Sequence, residues 1–479
     1  MPDQRVLLIN ANVMKPPVAP LALDYIGGEL ARTGMSVDLV DLSFADRPDE
    51  EIARVLSGVK PIAVGVTFRN TDDCFWPSCA WFVPGLREQV ETIRANTAAP
   101  IVLGGCGFSV FPVQIMDHCG VDLAVVGDGE APFAQLAKRL RDAEGHRDVP
   151  GLAYRDDAGQ VVVNPPRYGP TLDLPTDRRI IDNVRYLQTG GMGNVETKRG
   201  CPNACIYCAD PVVKGRVARC RDPRQVADEF ESLIAQGVDV IHLCDAEFNV
   251  PPDHAMAVCD EMANRGLGDR LRWYCYATVQ GFSGELALAM RRAGCVGVNF
   301  GVDSGCDRML AVLRRGYRRD AVRQAVHHCR QAGITVMLDL LLGGPEEDPA
   351  SAAETIDFVK GLDPDRAGAA TGVRLYPGTA MARIVSEQGP LTENPHLHGQ
   401  VEDNDDFLRP VFYIDRKLGE DGPGLIRDLI GDDDRFFKPA PPQDMVDYNY
   451  NDNPELEAAI AAGGRGAFWD ILRSRGGAA

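Results

Sequence analysis

Lys198-Arg199-Gly200-Cys201-Pro202-Asn203-Ala204-Cys205-Ile206-Tyr207-Cys208 is the stretch that decides how this chain is read. Its three cysteines are spaced C-x3-C-x2-C, with an aromatic residue just before the last. Thiolates at this spacing can hold three irons of a 4Fe–4S cube, because such clusters are ligated by cysteine sulfur. The fourth iron is then left without a cysteine and stays open to a further ligand. A zinc knuckle or three unrelated buried thiols would use the same residues. Structural zinc takes four protein ligands, commonly as two close pairs. No second C-x2-C pair exists in the chain, and Cys220 is the only other cysteine nearby.

Outward from this motif the chain alternates strand and helix patterns. Strand-like runs lie near Val195 and at 238–244, 271–277, 296–302, 334–342 and 372–376. Helical spacing separates them, as at 226–235, 286–292 and 321–332. About six βα units predict a partial (βα)6 TIM-like barrel, with the cysteines after its first strand, where a barrel's active site belongs. Upstream, apolar runs at 6–12, 37–42, 61–68, 101–105 and 123–126 alternate with helical patterns. Five such units predict a doubly wound, flavodoxin-like or Rossmann-like α/β domain. Residues 151–166 read as a hairpin turning at Asp156-Asp157-Ala158-Gly159, and 167–183 as a linker. From about Ser386 the texture changes to acid clusters between aromatic islands, a mostly helical or irregular segment. The expected division is 1–150, 151–189, 190–385 and 386–479.

Composition narrows the function. Lys+Arg 50 against Asp+Glu 69 leaves a net charge of −19, which offers nucleic acid no basic stripe. Hydrophobic content of 45% and charged content of 25% describe an ordinary globular protein. The start of the chain lacks a signal-peptide layout, and no apolar stretch is long enough to span a bilayer. The cysteines outside the motif, such as Cys74, Cys119, Cys259 and Cys329, are scattered and fit a reducing compartment. An oxygen-labile cluster needs the same, so a cytoplasmic protein without membrane contact is expected.

Two glycine turns end the fourth and fifth upstream strands. One contains Gly104, Gly105 and Gly107, the other Gly127, Gly129 and Glu130. Glycine there lets a ligand approach the backbone or allows a turn with positive φ. Both turns fall at carboxyl ends of parallel strands, where doubly wound sheets bind ligands. No G-x-G-x-x-G fingerprint follows the first strand, which argues against a dinucleotide.

The cysteine motif resembles the signature of the radical S-adenosylmethionine superfamily. The upstream domain is similar to the cobalamin-binding domain that precedes the radical core in many members. Its matching residues are Pro16-Pro17, Pro20-Leu21, Leu103-Gly104-Gly105 and Val126-Gly127-Asp128-Gly129-Glu130. The tail resembles that of tryptophan 2-C-methyltransferase-like enzymes through Asp433-Asp434-Arg435-Phe436-Phe437 and Gly464-Arg465-Gly466-Ala467-Phe468-Trp469. The resemblance implies a 4Fe–4S cluster on Cys201, Cys205 and Cys208, with S-adenosylmethionine on the open iron. It places the methionine amino group near Asp245 and Glu247, and the ribose on Asp303 and Ser304. Gly343 and Arg374 fall where the family contacts adenine and methionine. Asp245 could instead cap a helix, and Gly343-Gly344-Pro345 could simply turn the chain.

The resemblance also implies cobalamin in the upstream domain. No D-x-H-x-x-G motif is present, and the first histidine is His118, so cobalt would lack a histidine from the early loops. Arg69 is expected under the cobalt, filling the lower face without ligating it. A surface pair with Asp72 or Asp73 is the alternative. Trp469 and Tyr450 are candidates to help close the active site, with plain core packing as the alternative. The expected activity is a cobalamin-dependent radical S-adenosylmethionine C-methyltransferase acting on a small molecule, with an external electron donor of flavodoxin or ferredoxin type. A cyclase or rearrangement enzyme of the same architecture, or a non-catalytic cobalamin or redox sensor, are the competing readings. Nothing in the sequence signals an oligomeric state.

Overall fold

The computed structural model describes residues 5–441 and 452–476. The chain divides into two compact units at Asp73/Cys74, Ala80/Trp81 and Asn183/Val184, so that Cys74–Ala80 belongs with the second unit. Among the described residues no helix is long and apolar enough to cross a membrane. All 14 cysteines are free thiols.

The first unit is built on β1 (Arg5–Asn10), β2 (Ser36–Asp41), β3 (Val64–Thr67), β4 (Ile101–Gly104) and β5 (Leu123–Val125). They are mutually parallel in the order β2-β1-β3-β4-β5. That is the doubly wound flavodoxin-like order, whose ligand crevice opens between β1 and β3. Val6, Leu7, Leu8 and Ile9 are all buried, as a central strand covered on both faces must be. The helix Pro48–Gly58 starts with proline and carries Asp49, Glu50 and Glu51 in its first turn, where the exposed N–H groups favour negative charge.

The sheet does not stop at residue 150. β6 (Leu152–Arg155) pairs antiparallel with β5, and β7 (Val161–Val163) with β6, so the expected hairpin extends the sheet. The stretch read as a linker is also part of this unit. Leu172 and Leu174 bury against Tyr25, and Arg178 forms a fully buried ion pair with Asp24 at 2.6 Å. Asp24 also accepts from the backbone of Ile180 and Ile181 at 2.8 and 3.2 Å. Its prolines and polar residues hid this role, because the binding partner lies more than 150 residues away.

The second unit begins with β8 (Gly193–Val195) and a short antiparallel ribbon of β9 (Lys198–Arg199) and β10 (Arg219–Cys220). Next come β11 (Val240–Leu243), β12 (Arg272–Ala277), β13 (Cys295–Asp303), β14 (Thr335–Leu342) and β15 (Arg366–Thr371). β8 and β11 to β15 lie side by side in chain order, every pair parallel. The last of them was expected at 372–376. β15 is Arg-Ala-Gly-Ala-Ala-Thr, with no β-branched residue before Thr371, and so lacks the usual strand signal. β16 (Val373–Arg374) instead joins β17 (Leu397–Gly399) and β18 (Val411–Tyr413) in an antiparallel sheet. Trp76, from the Cys74–Ala80 segment, packs on this sheet through His398 and Phe412, with ring centroids 5.1 and 6.2 Å apart.

The tail is more regular than its composition suggests. β19 (Phe436–Phe437) adds a parallel strand to β15. The helix Phe468–Gly476 places Trp469 edge-on to Tyr274 at 5.9 Å, while Tyr274 Oη donates to Asp470 at 2.7 Å. A side chain at Gly297 would lie 2.7 Å from Trp469. Tyr274 and Gly297 are the third residues of β12 and β13, so Trp469 packs toward the amino-terminal end of the sheet. Asp303 lies six residue steps beyond Gly297, about 20 Å along the strand. Trp469 is buried in the core of this unit. Tyr450 lies outside the described residues.

Candidate functional site

The carboxyl ends of β8, β11 and β13 bring the chemistry-bearing residues of the second unit together. Gly200, with φ +98°, lets the chain pass the Val217 carbonyl so closely that no side chain fits. The cysteine loop is then sewn down by backbone bonds: Cys201 N to Gly215 O at 3.0 Å, Ile206 N to Leu313 O at 3.3 Å, and Met381 N to Ile206 O at 2.8 Å. Burial pushes the Cys201 thiol up to about 11 and raises Cys205 and Cys208 as well. A bound cationic centre supplies the opposite charge that holds such thiols as thiolates.

Asp245 does not offer the free carboxylate expected of it. It accepts from Thr197 N at 2.7 Å, Thr197 Oγ1 at 2.5 Å, Lys198 N at 3.2 Å and Lys198 Nζ at 2.9 Å. Lys198 also donates to Phe248 O at 2.6 Å. Burial works to raise Asp245, but Lys198 and Thr197 hold it below the ordinary carboxylate range. This buried pair rivets β11 to the strand that leads into the cysteines. Two residues on, the Glu247 carboxylate takes no hydrogen bond or ion pair from any described residue. Burial, against the pull of Arg315, pushes it up to about 7.

Asp303 ends β13 with φ +62°, where the register against β14 shifts. A non-glycine residue in that region is strained, a feature that gathers at functional sites. Its Oδ2 accepts from Tyr207 Oη at 2.6 Å and pairs with Arg315 Nε at 3.2 Å. Burial raises Asp303 despite Arg315 and Tyr207. Ser304, expected at the ribose, instead bonds Thr355 Oγ1 at 2.8 Å and accepts from Cys306 N at 3.1 Å. Gly343, with φ +93°, donates to Glu347 at 2.7 Å in a structural turn. Arg374 is buried over the Tyr376 ring and donates to Leu375, Phe407 and Leu408 carbonyls, so it serves the tail.

Arg315 was missed from sequence. It donates to Cys205 Sγ at 2.8 Å and to Tyr207 Oη at 3.1 Å, across more than 100 residues. The only local signal is the basic run Arg314-Arg315-Gly316-Tyr317-Arg318-Arg319 in an acidic chain. Asn299 and Asp339 were missed too. Asn299 Nδ2 donates to Asp339 Oδ2 at 2.7 Å, on the face of β13 opposite Val298, Phe300 and Val302. The Oδ1 atoms of both are buried without a partner, and burial pushes Asp339 up to about 6.

In the first unit the glycines answer to the fold. A Cβ at Gly105, where φ is +105°, would sit 2.5 Å from Phe68 O, and one at Gly107 would sit 2.8 Å from Arg69 O. The chain's own backbone lies against both glycines, which is reason enough for glycine at each. Gly127 has φ +80° and faces Tyr168 Oη, while Gly129 precedes the helix Glu130–Arg141, whose first residue is the buried Glu130. Gly104 is open by comparison, with the Val125 carbonyl 3.6 Å from a built Cβ. Arg69 is half-buried and lies just past the carboxyl end of β3, its carbonyl beside Gly107, shortly after β4.

Among the described residues no three His, Cys, Asp or Glu side chains converge on one ion position. Three thiols on one short loop, Cys201, Cys205 and Cys208, are the kind of donor set a 4Fe–4S cluster takes. Residues 195–359 match the Radical SAM superfamily, and residues 7–137 match the B12 binding domain. Tryptophan 2-C-methyltransferase of Streptomyces laurentii is 30% identical over 98% of this chain and 96% of its own length. The chain belongs to the cobalamin-dependent radical S-adenosylmethionine methyltransferases. The solved structure of the radical S-adenosylmethionine methyltransferase TsrM from Kitasatospora setae, with tryptophan and an S-adenosylmethionine analogue, superposes with a TM-score of 0.93. It shares 30% identity, covering 99% of this chain and 98% of that one. The anaerobic magnesium-protoporphyrin IX monomethyl ester cyclase of Rubrivivax gelatinosus is 25% identical over 78% of this chain and 67% of its own length. As a radical S-adenosylmethionine methyltransferase, this protein uses a 4Fe–4S cluster, S-adenosylmethionine and cobalamin. A methyl group passes from S-adenosylmethionine by way of cobalt to a small-molecule substrate.

Proposed function

We propose that this methyltransferase acts on carbon of a small aromatic, amino-acid-like substrate, with tryptophan the first compound to test. The observation that carries the reaction is the Cys201, Cys205, Cys208 loop beside a Glu247 carboxylate to which no described residue donates. The likeness to tryptophan 2-C-methyltransferase runs through the tail as well, which supports the substrate class. The second unit reads as an open (βα)6 barrel, from its six parallel strands in chain order, with the cysteine loop at its carboxyl-terminal mouth.

Cys201, Cys205 and Cys208 hold the three irons, and Glu247 replaces Asp245 as acceptor for the methionine ammonium. Asp303 keeps one carboxylate oxygen for the ribose, whereas Ser304, Gly343 and Arg374 act through the fold. The unpaired oxygens of Asn299 and Asp339 suit an N–H donor on the substrate. Cobalamin belongs to the first unit, at the β1/β3 crevice, with Gly104, the Gly127–Glu130 turn and Arg69 around it. Arg69 would fill the lower cobalt face with a group that cannot ligate. Free thiols and an oxygen-labile cluster suit a cytoplasmic enzyme fed by a flavodoxin- or ferredoxin-type donor.

The test is anaerobic turnover of the cobalamin- and cluster-loaded chain with L-tryptophan and S-adenosylmethionine bearing a deuterated methyl group. A product heavier by that methyl group supports the reading. S-adenosylmethionine consumption coupled to a product without the label sinks it in favour of a cyclase or rearrangement enzyme.

A further inference from the structure

We propose that Arg315 is a positioning residue for the 4Fe–4S cluster, whose guanidinium hydrogen-bonds the Cys205 sulfur and raises the cluster's reduction potential. The inference rests on the cluster reading of Cys201, Cys205 and Cys208. Arg315 Nη1 lies 2.8 Å from Cys205 Sγ. Every other part of the guanidinium is also engaged. Nε faces Asp303 Oδ2 at 3.2 Å and Tyr317 Oη at 3.1 Å, and Nη2 donates to the Gly301 carbonyl. The guanidinium carbon lies 5.4 Å from the Tyr317 ring centroid, and Tyr317 Oη is itself tied to the Gly301 and Val302 carbonyls at 3.2 Å. Tyr207, inside the cysteine motif, closes the ring by donating to Asp303. Held at five points and 9% exposed, Arg315 cannot swing away from the sulfur.

Among the described residues Cys205 is the one cysteine of the three with a side-chain donor. A donor to a ligating sulfur withdraws charge from it, and hydrogen bonds to the sulfurs set the potential of such clusters. The reduced cluster carries one more negative charge, so the donor stabilises it more than the oxidised form. The potential rises, and the first electron enters more readily. Asp303 balances the Arg315 charge at a distance and leaves the directional N–H to sulfur bond as the main effect.

The experiment is a potentiometric titration of the anaerobically reconstituted full chain, followed by electron paramagnetic resonance, with iron and sulfide counted in each sample. Arg315→Met should keep its iron and lower the potential by about 59 mV, a tenfold loss in the one-electron reduction equilibrium. Arg315→Gln, which keeps N–H donors, should shift less, and Arg315→Lys should restore most of the wild-type value. Asp303→Asn should shift the potential the opposite way, because the arginine charge is then uncompensated; a purely structural role predicts the same direction as Arg315→Met. If Arg315→Met fails to load iron, the Gln, Lys and Asp303→Asn variants decide. Full iron content with unchanged potentials, or a fall in Asp303→Asn, overturns the inference. A wild-type chain that holds zinc rather than about four irons overturns the cluster reading instead.

Discussion

Asp245→Asn separates two readings of one carboxylate. The side chains of Asp245 and Lys198 are 1% and 2% exposed and 2.9 Å apart. The substitution removes the anion and leaves a buried ammonium facing a neutral amide. Breaking a buried pair in this way costs about 3–5 kcal/mol, most of it from the uncompensated charge. For a unit of this size, about 2 °C of melting temperature accompanies each kcal/mol, so a fall of about 6–10 °C is expected. Calorimetry of the full chain at fixed scan rate measures it. Replacing both partners, Lys198→Met with Asp245→Leu, should cost less than the two single changes together. The pH dependence has a definite sign. Asp245 titrates below its unfolded value of about 3.9, so its stabilisation is complete above that value and is lost as pH falls through the lower folded one. The gap between wild type and Asp245→Asn should be flat from about pH 5 to 8 and close only in stronger acid. A melting temperature within about 2 °C of wild type, together with weakened S-adenosylmethionine binding, would refute the rivet and return Asp245 to the ligand.

Glu247→Gln should load iron normally but bind S-adenosylmethionine about 10- to 100-fold more weakly, the equivalent of one charge-assisted bond, by equilibrium dialysis. Ser304→Ala should leave that affinity unchanged; a large loss would restore Ser304 to the ribose. In the first unit, Gly105→Ala forces a side chain onto the Phe68 carbonyl at a positive φ. It should destabilise the fold by about 1–3 kcal/mol, seen as a lower unfolding midpoint before any cobalamin is added. Trp469→Ala should cost about 3–5 kcal/mol through the cavity it leaves, while the KM for S-adenosylmethionine stays put. A selective rise in KM without loss of stability would place the tail over the active site after all.

Motifs whose meaning is local could be read directly. The C-x3-C-x2-C spacing announces its chemistry within eight residues. The period of apolar runs shows alternating strands and helices, because parallel strands buried on both faces need continuous Val, Leu and Ile. β15 escaped since its alanines and glycine carry little strand preference; the hairpin was legible, but its pairing with β5 and the packing of the linker escaped since those partners are distant. Of the strand-end groups, the glycines and acids were found by type, but type alone could not say whether a ligand or the chain itself used them.

The sequence by itself thus determined the two α/β units and the family with its cofactors, which follow from residue type at short spacing. Tertiary structure decided which of two carboxylates is available. Asp245 and Glu247 are equally acidic in the sequence, yet Lys198 and Thr197 saturate the first and leave the second open. It likewise decided that Ser304 and Arg374 face protein partners, that Trp469 packs toward the amino-terminal end of the sheet, and that Arg315 reaches Cys205. A hydrogen bond depends on distance and direction between groups tens to hundreds of residues apart. Only the folded chain brings such groups within reach, and a buried acceptor serves whichever donor the fold has placed beside it.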